Sequence, residues 1–481
     1  MGLSDLVQSM VVYAACLFLS YLFLLLSYRA TFHPLSKYPG PFFAKILDGY
    51  GGVFAASRRL HLVTYENHMK YGPVVRQGPN RLVFNTASSL HDVDVHRRKR
   101  KIVSQPLTEK AMRKFEPVMS EQIDVFVQQL HTSAARSEPI NMTQRCMWLG
   151  GDIVGQLAFG YSLRQQTDDA NRWLQPGLAL ASARINVYMQ APVVRKLEPL
   201  LKVLVKKARA KYVNITTDMI KNRLTMDKHA KHDLYSFAVD DMGGSVGLAN
   251  SELWAEAFFF IVAGGNTTAT TMSAMFFYLS RNLACYKKLA HEIRSAFKSA
   301  DEIHPGDQLR SCVYLQVCIS ETLRCATPNT GTLWRQQLAD DKEPLIIDGH
   351  VIPRGTDLGV NLYAIHHNEE YFPDPFVYRP ERWLESETSK DQLQKMKNAF
   401  APFILGARSC PGKSVAHMEI NLTFARTLWN FDFEAAPGEE GKLGAGTAGR
   451  TDGRHREGEY QLYDTFSAMH DGPSLKFYAR A

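Results

Sequence analysis

The stretch Phe403-Ile404-Leu405-Gly406-Ala407-Arg408-Ser409-Cys410-Pro411-Gly412 surrounds one cysteine with residues that let backbone approach its sulfur. Gly406 and Gly412 remove side chains that would stand between main-chain N–H groups and the sulfur, and Pro411 stiffens the turn. The apolar positions that follow (Val415, Met418, Ile420, Leu422, Phe424, Leu428) predict a helix beginning just after Cys410. A helix N-terminus carries partial positive charge, which favours a thiolate. The loop therefore reads as a site built for S⁻, with Cys410 as a candidate metal ligand. The rival reading is a cysteine that fills a buried gap.

The remaining cysteines give no competing site. There are seven, an odd number with no CxxC pair, which speaks against a disulfide framework and against a zinc site. Cys312, Cys318 and Cys325 share one helical stretch and read as core filler, so a reducing, cytosol-facing compartment is expected. The 481 residues are 45% hydrophobic and 22% charged, enough for a large core. The net charge is +8, concentrated in part at His96-Arg97-Arg98-Lys99-Arg100-Lys101. No nucleic-acid motif accompanies it, and a solvated or partner-facing surface is the simpler reading.

Toward the N-terminus, Leu6 to Tyr28 is uncharged and long enough to cross a bilayer as a helix. Only Asp5 is charged before it, whereas Arg29 and Lys37 follow, which places the rest of the chain in the cytosol by the positive-inside rule. With that topology the sequons at Asn141, Asn214, Asn266 and Asn421 are not expected to carry sugar. The segment His33 to Pro41 holds closely spaced prolines and predicts a stiff linker. Gly72–Arg76 and Arg81–Phe84 flank a Gly78-Pro79-Asn80 turn as a hairpin. Asp152–Gly160 reads as part of a scaffold helix and Leu174–Leu224 as two helices. Leu253–Met275 is an apolar helix carrying Gly264-Gly265, each of which costs about 1 kcal/mol relative to alanine and so asks for a reason. Close helix packing is one. Glu321 and Arg324 stand at i and i+3 and can pair. Short strands are expected at Leu333–Arg335, Leu345–Ile347, Val351–Ile352, Leu358–Val360, Tyr460–Tyr463 and Leu475–Tyr478, and a surface loop at Gly441–Gly458.

The loop around Cys410 matches Phe-x-x-Gly-x-Arg-x-Cys-x-Gly, the haem-binding signature of the cytochrome P450 family, at every fixed position. Ala263-Gly264-Gly265-Asn266-Thr267-Thr268, Glu321-Thr322-Leu323-Arg324 and Pro380-Glu381-Arg382-Trp383 follow the family's other motifs in order, and the sequence resembles that family from the N-terminal helix to the C-terminus. The resemblance implies a mainly α fold with a small β region: one catalytic domain (42–481) after a transmembrane anchor (1–30) and a proline-rich linker (31–41). It implies haem b with the Cys410 thiolate as axial ligand, Phe403 and Gly412 framing it, and Arg408, Arg335, His96 and Arg100 on the propionates. Thr267 and Thr268 would serve dioxygen, and the glycines would let the helix open beside it. Asn266 stands where the family generally has an acid, and an amide cannot shuttle a proton. Glu321, Arg324 and Arg382 would form a buried ion network. Thr330, Thr332 and the Phe466-Ser467-Ala468 turn would face substrate.

The same resemblance implies a monooxygenase that inserts one atom of O₂ into a small apolar organic substrate, tailoring a fungal secondary metabolite. Electrons would come from NADPH through NADPH-cytochrome P450 reductase, docked on a face including Lys110, Arg113, Lys114 and Lys413. The enzyme would be single-pass in the endoplasmic reticulum membrane, in contact with lipid, with its catalytic domain cytosolic. After Thr86 several tens of residues that wall the pocket in the family are missing, which means an open site or a faulty gene model. Two other readings stay open: a haem-thiolate isomerase or dehydratase that does not use O₂, and a catalytically impaired haem-binding protein.

Overall fold

The computed structural model describes residues 3–92, 109–199, 206–226, 250–337 and 343–480. The longer helices are α1 (Leu3–Thr31), α2 (Leu60–Tyr71), α3 (Glu109–Ala135), α4 (Met142–Phe159), α5 (Leu174–Gln190), α6 (Lys206–Leu224), α7 (Asn250–Arg281), α8 (Leu283–Ala296), α9 (Val313–Cys325), α10 (Lys390–Ala399) and α11 (Lys413–Asn430). The strands are β1 (Val74–Gly78), β2 (Arg81–Phe84), β3 (Ile140–Asn141), β4 (Leu345–Ile347), β5 (His350–Ile352), β6 (Asp357–Val360), β7 (Phe431–Ala435) and β8 (Ser474–Ala479). They form three small sheets, ordered β1-β2-β6, β3-β8-β7 and β4-β5. The molecule is mostly helical with a minor β part, as the motifs imply.

Helix α7 runs unbroken through Gly264-Gly265 and is packed on two sides. Against α4 the backbones nearly touch: a Cβ on Gly150 would lie 2.5 Å from the Gly265 carbonyl oxygen, and one on Gly264 would lie 2.3 Å from Val154 Cγ2. The two glycines thus have a packing reason, the one open to a sequence-only reading. Helix α4 is fixed at both ends, since Asn141 Oδ1 accepts the Thr143 N–H at 3.0 Å and Gly160 closes it in the left-handed conformation, φ 56°. On the other side of α7, Phe276 packs on Phe424 of α11 and Phe433 of β7, with ring centroids 4.4 and 5.3 Å apart. The Cys410 loop enters α11 directly, so it is positioned against the same central helix.

A second core surrounds the first sheet. The β1–β2 hairpin pairs with β6 in parallel, Leu82 opposite Leu358, and these residues bury Leu35 and Tyr38 from the proline-rich stretch. Pro39 accepts the Arg76 N–H at 2.7 Å. Residues 33–41, read as a stiff linker, are docked on the body because two of their side chains are core. The β4–β5 hairpin turns at Asp348 and Gly349, both at positive φ as a two-residue hairpin turn requires.

Two expected strands are isolated bridges only, Arg335 with Leu358 and Tyr463 with Met469. Trp334 leaves the ladder to lie under the Arg81 guanidinium and to donate to Gln190, while the Tyr460 hydroxyl turns inward to the Gly472 carbonyl. The Gly441–Gly458 loop is exposed over much of its length, yet Arg454 within it is buried and donates to the Leu462 carbonyl, which pins the loop down.

Helix α1 is long and apolar enough over Ser4–Thr31 to cross a membrane, with mean hydropathy 2.3 and no burial in that window. It is a candidate membrane anchor. Its last turn is tied to the body by Arg29, which pairs with Asp48 at 2.8 Å and donates to the Ile46 carbonyl at 2.8 Å. Helices α5 and α6 fall where two helices were expected.

Candidate active site

The cysteine loop is closed by its own backbone. The Cys410 N–H donates to the Phe403 carbonyl at 2.7 Å, and a 3₁₀ turn at Gly406–Arg408 fills the space between. Two residues adopt positive φ, Gly406 at 66° and Ile404 at 58°. Glycine does this at no steric cost; a β-branched residue there costs about 1–3 kcal/mol and persists only where its surroundings over-determine it. Gly412 is the residue before α11, and a Cβ on it would lie 3.7 Å from the Cys410 sulfur, so the glycine keeps that side of the sulfur clear. Phe403 packs on His417 of α11 at 5.3 Å, which seats the loop on the helix. Cys410 is exposed, whereas Cys146, Cys285, Cys312, Cys318 and Cys325 are buried. The gap-filling reading suits those five and fails for Cys410.

Cys410 and Arg408 line a cavity of about 380 Å³ whose opposite wall is α7, through Gly264, Thr267 and Thr268. Two motifs more than a hundred residues apart in sequence thus meet across one space, within the range of about 300–1,000 Å³ usual for cofactor and ligand sites. The Thr267 and Thr268 hydroxyls bond back to the Ala263 and Gly264 carbonyls, at 2.8 and 3.4 Å. Asn266 does not line the cavity. Its amide donates to Ser467 Oγ at 2.7 Å and to the Ala468 carbonyl at 3.3 Å. Arg335 lines a small adjoining recess that shares Leu333 and Ile404 with the main cavity. His96 and Arg100 lie outside the described residues, as does the whole block 96–101. Of the proposed basic face, Lys114 and Lys413 are exposed.

The expected ion network is present and larger than its motifs. Glu321 receives Arg324 (2.8 and 3.0 Å), Arg382 (3.0 Å), the Arg379 amide (3.0 Å) and the Trp383 indole (2.9 Å). Burial alone would raise the Glu321 carboxyl; the two guanidiniums and the amide outweigh it and hold it below the usual range. The network reaches the cysteine loop by contact. Trp383 packs on Phe400 at 4.7 Å, and His366, which also touches Phe400, accepts the Ala401 N–H at 3.2 Å.

Sequence reasoning missed one acidic residue on the cavity wall. Glu419 of α11 is 2% exposed and lines the cavity, and its Oε1 has no hydrogen-bond partner among the described residues. Burial pushes its carboxyl up to about 8, so it holds a proton at neutral pH. An acid inside the apolar run Val415–Leu428 was the available signal.

The profile of the cytochrome P450 family matches residues 80–447. The chain belongs to the cytochrome P450 family. Similar relatives are fungal: cytochrome P450 monooxygenase AKT7 of Alternaria alternata is 32% identical over 506 residues, covering 96% of each chain. Cytochrome P450 monooxygenase poxM of Penicillium oxalicum is 33% identical over 503 residues, covering 96% of this chain and 94% of the relative. Cytochrome P450 monooxygenase apf7 of Gibberella fujikuroi is 30% identical over 513 residues, covering 94% and 95%. A P450 carries haem on a cysteine thiolate, and the donor set here fits such a group. Among the described residues no cluster of three His, Cys, Asp or Glu could hold a bare metal ion. A single cysteine just ahead of a helix N-terminus on the wall of a mostly apolar cavity would suit a metal that arrives with most of its ligands already supplied, as haem iron does.

Proposed function

We propose that this P450 is a haem-thiolate monooxygenase in which Cys410 holds the iron and α7 presents Thr267 to the reacting oxygen. The observation that carries this is the shared cavity, with Cys410 on one wall and Thr267 on the other. Haem on a thiolate supplies the electron push for O–O cleavage. The chain's own part is to hold the sulfur deprotonated at the α11 N-terminus, to seat a propionate against Arg408, and to exclude water with apolar walls. Arg335, His96 and Arg100 are the further propionate candidates. Thr267 and Thr268 offer hydroxyls that can release their helix carbonyls and pass a proton, aided by ordered water. Asn266 takes no part in that relay.

Electrons come from NADPH through a P450 reductase, and the enzyme is tethered to the endoplasmic reticulum by residues 1–30, with 31–41 leading into a cytosolic catalytic domain at 42–481. The substrate is a small apolar organic molecule, a fungal secondary metabolite in this reading. A shortened pocket wall after Thr86 is part of this reading; the 506-position match to AKT7 uses 96% of 481 residues, which leaves some tens of positions of the relative without a counterpart somewhere along the chain.

The test is the spectrum of the reduced, CO-treated protein together with NADPH-dependent turnover. A thiolate-type band that is lost in Cys410→Ser, with product formed by the wild type, is expected. The band without turnover would overturn the monooxygenase reading. It would favour a haem-thiolate isomerase or an impaired haem binder, toward which the diverted Asn266 points.

A further inference from the structure

The Asn266 amide has a defined orientation. The Ala468 carbonyl can only accept, so the amide nitrogen must face it, and the same nitrogen donates to Ser467 Oγ at 2.7 Å. Ser467 Oγ is the acceptor in that bond, and its own proton must point elsewhere. Ser467 is 6% exposed and lines the cavity, and among the described residues its hydroxyl makes no second hydrogen bond.

The turn that carries Ser467 is clamped to the neighbouring wall, since the Ala468 N–H donates to the Pro328 carbonyl at 2.8 Å. Asn329, next in sequence to Pro328, also lines the cavity. A wall of a mostly apolar cavity therefore carries a hydroxyl donor on a turn held in place from both sides.

We propose that the Ser467 hydroxyl binds one neutral carbonyl oxygen of the substrate, with Asn266 as the positioning residue that aims the Ser467 proton. A carbonyl oxygen only accepts, so it suits a hydroxyl whose oxygen is already engaged and whose proton is left to donate. The substrate class is thus a ketone, ester, lactone or amide anchored by its oxygen, with the apolar remainder toward Cys410. This deepens the monooxygenase reading and rests on it.

The test is calorimetric binding to the holoenzyme of acetophenone and of α-methylstyrene, which differ by C=O against C=CH₂. The wild type is expected to prefer acetophenone, and Ser467→Ala to erase about tenfold of that preference while leaving α-methylstyrene unchanged, the size of about one hydrogen bond. Ser467→Thr should restore it. Asn266→Ala should lower the preference only while Ser467 is present, so the double variant matches Ser467→Ala alone. Equal losses for both probes, no preference in the wild type, or additive effects in the double variant would overturn the proposal. Calorimetry needs neither turnover nor a haem spectrum. Failure of the monooxygenase reading shows separately, as a thiolate CO band without product.

Discussion

Glu419 is a single side chain whose surroundings set a measurable property of the whole protein. Its folded pKa of about 8 lies above the ordinary glutamate value of 4.5, so the folded state binds more protons than the unfolded chain between those values. Stability from this group is complete below about pH 4.5 and is lost as pH rises through about 8. Glu419→Gln, neutral at every pH, should match the wild type near pH 5. By pH 8 it should exceed it by an amount on the order of 3 kcal/mol, read as a growing gap in thermal midpoint. A gap that stays constant with pH would refute this. The same residue shows where sequence reading stops. Cys410, Thr267 and Glu321 belong to motifs, so they could be picked out in advance. Glu419 belongs to none, and only its burial on the cavity wall makes it chemically distinct. Asn266 was legible as a departure, but its attachment to Ser467, 201 residues later, could not be read from either position.

At the scale of elements, the site depends on how α9, α11 and the segment between them are joined. The Glu321 network lies under Trp383, Trp383 under Phe400, and Phe400 leads through Ala401 into the cysteine loop. Strain in that loop, with Ile404 at φ 58°, needs a rigid base. Glu321→Ala leaves Arg324 and Arg382 buried at 0% and 2% exposure without their shared carboxylate, at a cost of roughly 3–5 kcal/mol. Little haem-loaded protein is expected, measured as Soret absorbance per mole of polypeptide. Normal loading with an unchanged melting midpoint would disconnect the network from the loop. The paired charges at i and i+3 were visible in sequence; that Arg379 and Trp383 complete the shell was not, because a backbone N–H and an indole leave no pattern. Likewise Gly264-Gly265 announced that something needed room. Gly150 and Val154, which occupy it, became evident only once α4 and α7 were packed.

The whole molecule combines a body that buries its own core with a helix, α1, that buries nothing. The joint between them is specific. Arg29 closes α1 onto Asp48 and Ile46, and the buried Arg76 donates back to the Arg29 carbonyl at 3.0 Å. Since residues 33–41 are part of the core around β1, β2 and β6, the boundary that matters for stability falls inside the last turn of α1, ahead of the proline-rich segment. Two truncations separate the consequences. Removing residues 1–28 takes away the apolar span and keeps Arg29, so the protein should leave the membrane fraction without detergent and melt with the full-length body. Removing residues 1–31 also deletes the Asp48 partner and the acceptor for Arg76. The ion pair is half-exposed and contributes little; the buried guanidinium that loses a carbonyl contributes more, and together they should lower stability by about 1–3 kcal/mol. Sedimentation without detergent and thermal melting of the two truncated proteins read the two effects independently. Equal midpoints would show that the joint is incidental to the body, and a body that aggregates after loss of 1–28 would show that α1 covers apolar surface beyond its own.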